Sequence, residues 1–207
     1  MEYITLAFEN GGPFMYIILI VLVVGLAIMI ERFLYIAVKN RIDTSAFVSR
    51  ILEFVKQGNV QSAINLCDRS KAALPVITKA GLQVSAESPQ DIQNAFELAA
   101  MAELPKLERR THYLSMIANV ATLLGLLGTI IGLIQSFQAV ASADSSQKAA
   151  LLSAGISVAM NTTAFGLIVA IPCMVSHSYI QSKTNAIIDD INENVARLYQ
   201  YLTKKRS

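Results

Sequence analysis

The stretch LLGLLGTIIG, residues 123–132, decides the fold class of this chain. It is aliphatic except for three glycines and Thr129, and it lies inside a longer apolar run from Tyr113 to Val140. Glycine weakens a helix and a hydroxyl in an apolar medium needs a hydrogen-bond partner, so leucine throughout would make a better plain anchor. The stretch therefore predicts a membrane helix with a side that contacts another helix or borders a water-accessible path.

The composition of the whole chain is typical of a membrane protein. Of its 207 residues, 54% are hydrophobic and 15% are charged, and the mean hydropathy is +0.48. A soluble domain of this size carries more charge. The sequence has no basic patch interleaved with aromatic residues, and Cys67 and Cys173 have no metal-ligand spacing. We therefore expect a lipid bilayer as a partner, no nucleic acid, no metal or cofactor, and two cysteines that serve packing.

Three apolar runs are each long enough to cross a bilayer, which needs roughly 20 residues. The chain is thus predicted to be an all-α membrane protein with three transmembrane helices. The residues before the first run include no Lys or Arg, so we expect this run to be a transmembrane helix and not a secretory signal peptide. Basic residues are concentrated between the first and second runs and after the third, so the positive-inside rule places those segments in the cytoplasm and the N-terminus outside.

The predicted segments follow from these runs and their orientation. They are, in chain order, a periplasmic N-terminal segment (1–13), transmembrane helix 1 (14–38), a cytoplasmic helical region (39–112), transmembrane helix 2 (113–140), a short periplasmic loop (141–149), transmembrane helix 3 (150–178) and a cytoplasmic C-terminal helix (179–207).

Within the cytoplasmic region, capping and breaking residues predict short helices. Thr44 and Asn59 are candidate N-caps, and Pro75 and Gly81 are expected to interrupt the chain after the second of these helices. Ser88 before a proline starts a pattern that we expect to continue as one long helix into span two. Apolar residues at helical spacing after span three predict a second such extension. Spans two and three are therefore expected to project into the cytoplasm as long helices.

Four polar residues sit at the cytoplasmic ends of the spans. Glu31 and Arg32 near the end of span one are interpreted as an interfacial anchor whose side chains snorkel or pair. His112 and His177 invite a proton-relay interpretation, but polar anchoring where side chains meet water is the favoured one.

Small and polar residues form separate stripes on spans two and three, at 100° per residue. The polar stripe on span two consists of Ser115, Asn119, Thr122, Thr129 and Ser136, and beside it runs a stripe of small residues, Ala121, Gly125, Gly128 and Gly132. Span three has small residues Gly155, Ala159, Thr163, Gly166 and Ala170, and polar residues Ser153, Ser157 and Asn161. Small residues let helix backbones approach closely, so both spans are predicted to pack on more than one side, which favours a homo-oligomer. Neither span contains Asp, Glu, Lys or Arg, so any titrating carboxylate on an ion path must come from another chain.

The segments LLGLLGTIIGLIQSF (123–137) and GISVAMNTTAFGLIVAIP (155–172) closely resemble the two signature segments of the MotA/TolQ/ExbB proton-channel family. The three-span arrangement is similar to the shorter TolQ/ExbB branch, whereas MotA-type stators have four spans. The resemblance implies a pentamer that encloses the helices of a TolR/ExbD-type partner dimer, a single-span protein with a transmembrane aspartate. Proton flow past that aspartate would drive work at the cell envelope. The resemblance also implies a location in the inner, cytoplasmic membrane of a bacterium.

The resemblance also implies roles for particular residues. Thr129 and Thr163 match the family's pore-lining threonines, which face the partner aspartate. The wider candidate pore set is Thr129, Thr163, Thr162, Asn161, Val158, Thr122 and Ser136, and the candidate packing set is Gly125, Gly128, Gly132, Gly155, Ala159 and Gly166. Two positions depart from the family pattern: Val158 stands where Glu is frequent, and Thr122 where Pro is frequent. The departure at Val158 leaves the partner's carboxylate as the only candidate.

Two hypotheses about function stay open at this point. The first is an ion-channel subunit of an energy-coupling motor, and the second is a membrane scaffold that assembles a partner complex without conducting ions. An enzyme is not expected, because no nucleophile, base or metal cluster is apparent. The threonines do not distinguish a proton from a sodium ion, and they do not indicate which envelope task is served.

Overall fold

Helices form because the apolar residues recur at helical spacing along nearly the whole chain. The protein is represented by a computed structural model that describes residues 12–36 and 43–204. The helices in these ranges are α1 (Gly12–Leu34), α2 (Thr44–Lys56), α3 (Val60–Cys67), α4 (Ala73–Gln83), α5 (Pro89–Glu108), α6 (Thr111–Ala141) and α7 (Lys148–Lys204). No strand occurs within these ranges, and the all-α prediction is confirmed.

Three helical segments are long and apolar enough to cross a membrane: Gly12–Leu34, Pro89–Ala141 and Lys148–Lys204. This confirms three membrane-spanning helices, of which the second and third are long. At 31 residues for α6 and 57 for α7, both exceed the roughly 20 residues that a bilayer requires. Residues 1–11, 37–42 and 205–207 lie outside the described part of the chain. The predictions that fall on them, such as the end of transmembrane helix 1 at residue 38, lie outside it as well.

The expected unbroken helix from Ser88 into span two is wrong in one respect. Helix α5 ends at Glu108 and α6 starts at Thr111. Between them, Arg110 adopts a left-handed conformation with φ of 68°, which ends a helix in the way that glycine commonly does. The sequence has no glycine or asparagine there, so the usual stop signal is missing. Pro105, which invites the expectation of a kink, lies within α5.

Two of the predicted caps are confirmed by their hydrogen bonds. Ser88 forms a capping box, since its side chain accepts from the Asp91 N–H at 3.2 Å while the Asp91 carboxylate accepts from the Ser88 N–H at 3.2 Å. The Asn59 side chain accepts from the Ser62 N–H at 3.1 Å and so starts α3. These local bonds fix where α3 and α5 begin.

Other predictions in the same region are wrong. The cap of α2 is Asp43, not Thr44, and the Ala46 N–H that it accepts lowers the pKa of the Asp43 carboxyl. Pro75 and Gly81 do not interrupt the chain but lie inside α4, where both are buried. Gly81 lacks a side chain because the ring of Phe96 on α5 occupies the place where a Cβ would be. The glycine therefore serves close helix packing and not a turn.

The chain divides into two compact units. The first comprises residues 1–31 and 110–178, and the second residues 32–109 and 179–207. The core of the first unit is formed by α1, α6 and α7 around Ile18, Ala121 and Val169. The core of the second unit is a larger cluster from α2, α3, α4 and α5 together with the end of α7.

Both cysteines are free and buried. Cys67 lies in the core of the second unit, and this burial raises the pKa of its thiol to about 12. The thiol is therefore protonated at neutral pH and has little nucleophilic character.

Candidate functional site

The candidate site is built on the contact between α6 and α7 in the first unit. A methyl group added at Gly125 would lie 3.2 Å from the Cα of Thr163 and 3.3 Å from the Cα of Gly166. One added at Gly166 would lie 2.7 Å from the carbonyl oxygen of Ala121. Backbone thus meets backbone here, which explains why this stretch of two apolar helices carries glycine.

The contact continues along both helices through further small residues. A Cβ at Gly132 would lie 3.2 Å from the Cβ of Ala159, and the space beside Gly155 is filled by the side chain of Ser136. Gly128 similarly accommodates the side chain of Thr162. All the residues of the candidate packing set therefore contact the other helix of the same chain.

Two threonines of the candidate set, Thr129 and Thr163, meet within this contact. The hydroxyl oxygens of Thr129 on α6 and Thr163 on α7 are hydrogen-bonded to each other. Thr163 also lies within donor distance of the Gly125 carbonyl, at 3.0 Å, and Thr129 within 3.1 Å of that carbonyl and 3.2 Å of the Ala159 carbonyl. Two hydroxyls and two carbonyl oxygens thus converge in an apolar surrounding, with carbonyl acceptors available to both hydroxyl protons.

The remaining candidate hydroxyls are held in different ways. Thr122 donates to the carbonyl of Ala118 at 3.0 Å, which is the bond to the preceding turn that an isolated membrane hydroxyl commonly makes. Thr162 donates in the same way to Val158 at 3.2 Å. Ser136 is 5% exposed, and within the described part of the chain its hydroxyl has no hydrogen-bond partner.

Exposure separates the candidate residues further. Asn119 and Thr122 on α6, and Ser153 and Ser157 on α7, are exposed within apolar spans. Asn161 and Val158 are half-buried. Polar groups exposed on a membrane helix are costly against lipid, so they favour contact with another chain or with water.

The surrounding surface of α1, α6 and α7 is strongly apolar. Leu123 is 63% exposed, Phe137 60% and Ile168 63%. Such a surface is costly in water and suits lipid or further copies of the chain. In the described ranges, no group of three His, Cys, Asp or Glu side chains is placed to hold a metal ion.

Arg32 is a residue whose role the sequence did not predict. Instead of snorkelling, it is buried to 2% exposure in the second unit, where its guanidinium donates to the carbonyl of Leu107. The guanidinium also lies 4.8 Å from the ring centroid of Tyr35. Its neighbour Glu31 pairs with Arg110 in the first unit at 3.3 Å, on the surface. In the sequence, the only indication of a buried role for Arg32 was that charged residues follow directly after a long apolar run.

A model of the MotA/TolQ/ExbB proton channel family matches residues 69–193, well over half of the chain and the whole of the α6–α7 contact. This chain belongs to that family. Within the MotA/TolQ/ExbB family, the similar proteins carry names of the TolQ/ExbB branch, as the resemblance of the two signature segments predicted.

Three relatives define the extent of the likeness. A biopolymer transport ExbB homolog of Methanothermobacter thermautotrophicus is 29% identical over 89% of this chain and 65% of its own length. An ExbB-like protein of Synechocystis is 29% identical over 76% of this chain and 75% of its own. The Tol-Pal system protein TolQ of Haemophilus influenzae is 32% identical over 52% of this chain and 49% of its own. The match thus spans less than two thirds of the first and the third of these relatives.

The family membership states the general class of the protein. The family is described as a proton channel family, and its similar members are named for biopolymer transport and for the Tol-Pal system. The three apolar helices of this chain accord with that class.

Proposed function

We propose that the chain is the ion-conducting subunit of an inner-membrane motor and that the ion is a proton. The observation that carries the proposal is the meeting of the Thr129 and Thr163 hydroxyls from two different spans, at a point where both helices are otherwise apolar. Two hydroxyls and two carbonyls at one level form a polar position in a low-dielectric surrounding. Such a position can stabilise a charged or protonated group that passes along the helices.

The group that titrates would belong to a partner. Spans two and three hold no Asp, Glu, Lys or Arg, and an aliphatic hydroxyl does not ionise near neutral pH. We therefore propose a TolR/ExbD-like single-span partner, present as a dimer, whose transmembrane aspartate carries the proton past Thr129 and Thr163. Thr122, Ser136, Val158, Asn161 and Thr162 would line the same path.

The proposal includes assembly of several copies, with the pentamer of the resemblance as the expected number. The exposed polar side chains of Asn119, Ser153 and Ser157 support it, because lipid is a poor environment for them and a lumen shared by several copies would hydrate them. The proposed topology places the N-terminus in the periplasm and residues 39–112 and 179–207 in the cytoplasm. Each proton that crosses 100 mV would release about 2.3 kcal/mol for work on the envelope.

A test requires the chain and its partner in liposomes with a pH-sensitive dye inside. Thr163→Ala and Thr129→Val are expected to abolish proton uptake while the complex still assembles. Thr203→Val is the matched control, since the Thr203 hydroxyl bonds the Tyr199 carbonyl of its own helix at 2.9 Å and lies outside the proposed spans. Normal uptake in both pore variants would contradict the proposal.

One observation favours the alternative of a non-conducting scaffold. The protons of Thr129 and Thr163 have carbonyl acceptors within their own helix pair, so the two threonines also suffice as a clasp between α6 and α7. The scaffold predicts that the wild-type complex transports no protons across the liposome membrane under any applied potential. The same dye experiment therefore distinguishes the two functions.

A further inference from the structure

Helix α5 carries an exposed apolar surface outside the apolar spans. Met101 is 72% exposed and Leu98 69%, the highest fractions among the large hydrophobic side chains of the described residues. With five charged residues in its 20, α5 cannot lie in hydrocarbon, so lipid does not cover these two side chains. Large exposed apolar side chains on a water-facing helix mark an interaction surface.

A groove of about 410 Å³ borders this surface, and two acidic residues lie in its wall. It is lined by Glu97, Ala100, Met101, Leu104, Pro105, Glu108 and Ile188. Within the described residues, neither Glu97 nor Glu108 forms an ion pair. We call Leu98, Met101, Glu97 and Glu108 the α5 face.

A second groove, also of about 410 Å³, lies between α2 and α3, and its two arginines outnumber its one carboxylate, Glu53, so that its net charge is positive. It is lined by Arg50, Glu53, Phe54, Ser62, Asn65, Leu66 and Arg69. Helices α2 and α3 are joined by a three-residue connection, and both Arg50, in the middle of α2, and Arg69, just after α3, line the groove between the two helices. Neither arginine forms an ion pair with any residue that the structure describes. We call this the arginine groove.

The two surfaces complement each other but belong to different ends of the second unit. Helix α2 packs on α3, α3 on α4 and α4 on α5, so the arginine groove and the α5 face are separated by α4. The α5 face carries two carboxylates without an ion pair, and the arginine groove carries a net positive charge. Apolar side chains lie beside both, namely Leu98 and Met101 on the α5 face and Phe54 and Leu66 in the arginine groove. Arginine pairs with carboxylates through two parallel hydrogen bonds, which fixes orientation as well as sign.

We propose that the α5 face of one copy docks into the arginine groove of a second copy of this chain. A contact between two different surfaces of identical chains is head-to-tail, and its repetition gives a ring when the rotation between neighbouring copies closes. The inference rests on the proposed function only in that the channel subunit assembles from several copies. It adds that the charged second unit, and not the spans alone, carries the contact that sets the order of the copies.

Charge reversal and rescue test the contact in the full-length protein, purified in detergent, with mass measured by light scattering. Glu97→Lys with Glu108→Lys, and separately Arg50→Glu with Arg69→Glu, are expected to raise the concentration at which half the chains are monomeric by at least about tenfold. The four substitutions together restore both pairs and are expected to bring that concentration back to the wild-type range. Glu193→Lys with Arg197→Glu inverts an exposed pair within α7 and serves as the control with no effect.

If the variant with all four substitutions fails to fold, a cross-linking measurement tests the proposed contact. Asn65→Cys and Met101→Cys in one chain, treated with a short bismaleimide, are expected to give covalently linked copies, because the native cysteines are buried. Each substitution alone is expected to give none. Linkage from Met101→Cys alone would indicate two α5 faces in contact and overturn the proposal, as would unchanged assembly in both charge-reversed pairs.

These outcomes are separate from those of the proposed function. A ring that cross-links as expected but transports no protons would retain the contact and reject the channel. Proton uptake that depends on Thr163, in a protein whose charge reversals leave assembly unchanged, would retain the channel and reject this contact.

Discussion

Thr129 and Thr163, 34 positions apart in the sequence, are hydrogen-bonded through their hydroxyl oxygens across the α6–α7 contact. Both also lie within hydrogen-bond distance of the Gly125 carbonyl, at 3.1 Å for Thr129 and 3.0 Å for Thr163. The three residues form one polar cluster, in which a change to any member alters the hydrogen bonds that the other two can make. The same cluster therefore takes part both in the packing of α6 on α7 and in the proposed conduction of protons.

The first prediction concerns the coupling of the two threonines. Thr129→Val and Thr163→Val each remove one hydroxyl at nearly constant volume, and each is expected to destabilise the helix pair by about 0.6–1.7 kcal/mol. The double variant should lose less than the sum of the two, because the shared bond is already gone after the first change. The measurement is unfolding of the detergent-solubilised protein, followed by helical circular dichroism. Strict additivity would show that the two hydroxyls act independently.

The second prediction concerns close packing of α6 on α7. Gly166→Ala places a methyl 2.7 Å from the Ala121 carbonyl oxygen, which is backbone and cannot rotate away, so we expect a loss of about 1–3 kcal/mol. Gly132→Ala is the matched control. Its new methyl meets the Ala159 methyl at 3.2 Å, a gap that a small shift relieves, while alanine favours the helix by about 1 kcal/mol. A greater loss of stability for Gly132→Ala than for Gly166→Ala would contradict the close approach of the two backbones at Gly166.

The third prediction compares the adjacent residues Arg32 and Glu31. Arg32→Gln removes a buried charged donor from the Leu107 carbonyl and is expected to cost about 1.5–3 kcal/mol. Glu31→Gln removes only a surface ion pair with Arg110, whose side chains are 42% and 50% exposed, and is expected to cost less than about 1 kcal/mol. Thermal unfolding of the two variants in the same detergent measures the difference. Equal effects would mean that burial does not set the contribution of Arg32.

The fourth prediction concerns pH. Burial raises the pKa of the Cys67 thiol to about 12, whereas the exposed thiol of an unfolded chain ionises near 9. Between these values the unfolded chain releases a proton that the folded chain keeps, so the thiol lowers the free energy of unfolding as pH rises above about 9. Comparison with Cys67→Ala isolates the contribution of this thiol from all other contributions to the pH dependence of stability.

The free energy of unfolding of the wild-type protein should therefore fall more steeply with pH than that of Cys67→Ala between about pH 9 and 11. Below about pH 8 the two curves of unfolding free energy against pH should be parallel. Maleimide labelling gives an independent check. At neutral pH the reagent should not modify Cys67 in the folded protein, and it should modify Cys67 in the unfolded protein. Parallel curves throughout the alkaline range would show that the thiol is accessible in the folded state.

Much of the fold was predictable because its signals are local. Hydrophobic runs predicted the three spans, and the oxygen side chains of Ser88 and Asn59 predicted two helix starts, since a cap depends only on residues three positions away. The break at Arg110 was not predictable, because an arginine in a left-handed conformation is selected by its surroundings and not by its own preference. The signal at Gly81 is misleading for a related reason: it is that of a turn, and only the ring of Phe96 explains the glycine.

The sequence by itself determined that this is an all-α membrane protein of the MotA/TolQ/ExbB family, because span length, charge placement and the two signature segments are all read along one dimension. Only the tertiary structure decided which small residues meet. The stripe that suggested contacts between copies is occupied by α6 and α7 of one chain, with Gly125 against Gly166 and Gly132 against Ala159. The rotation and register of two helices depend on every contact along both, and no single stretch of sequence specifies them.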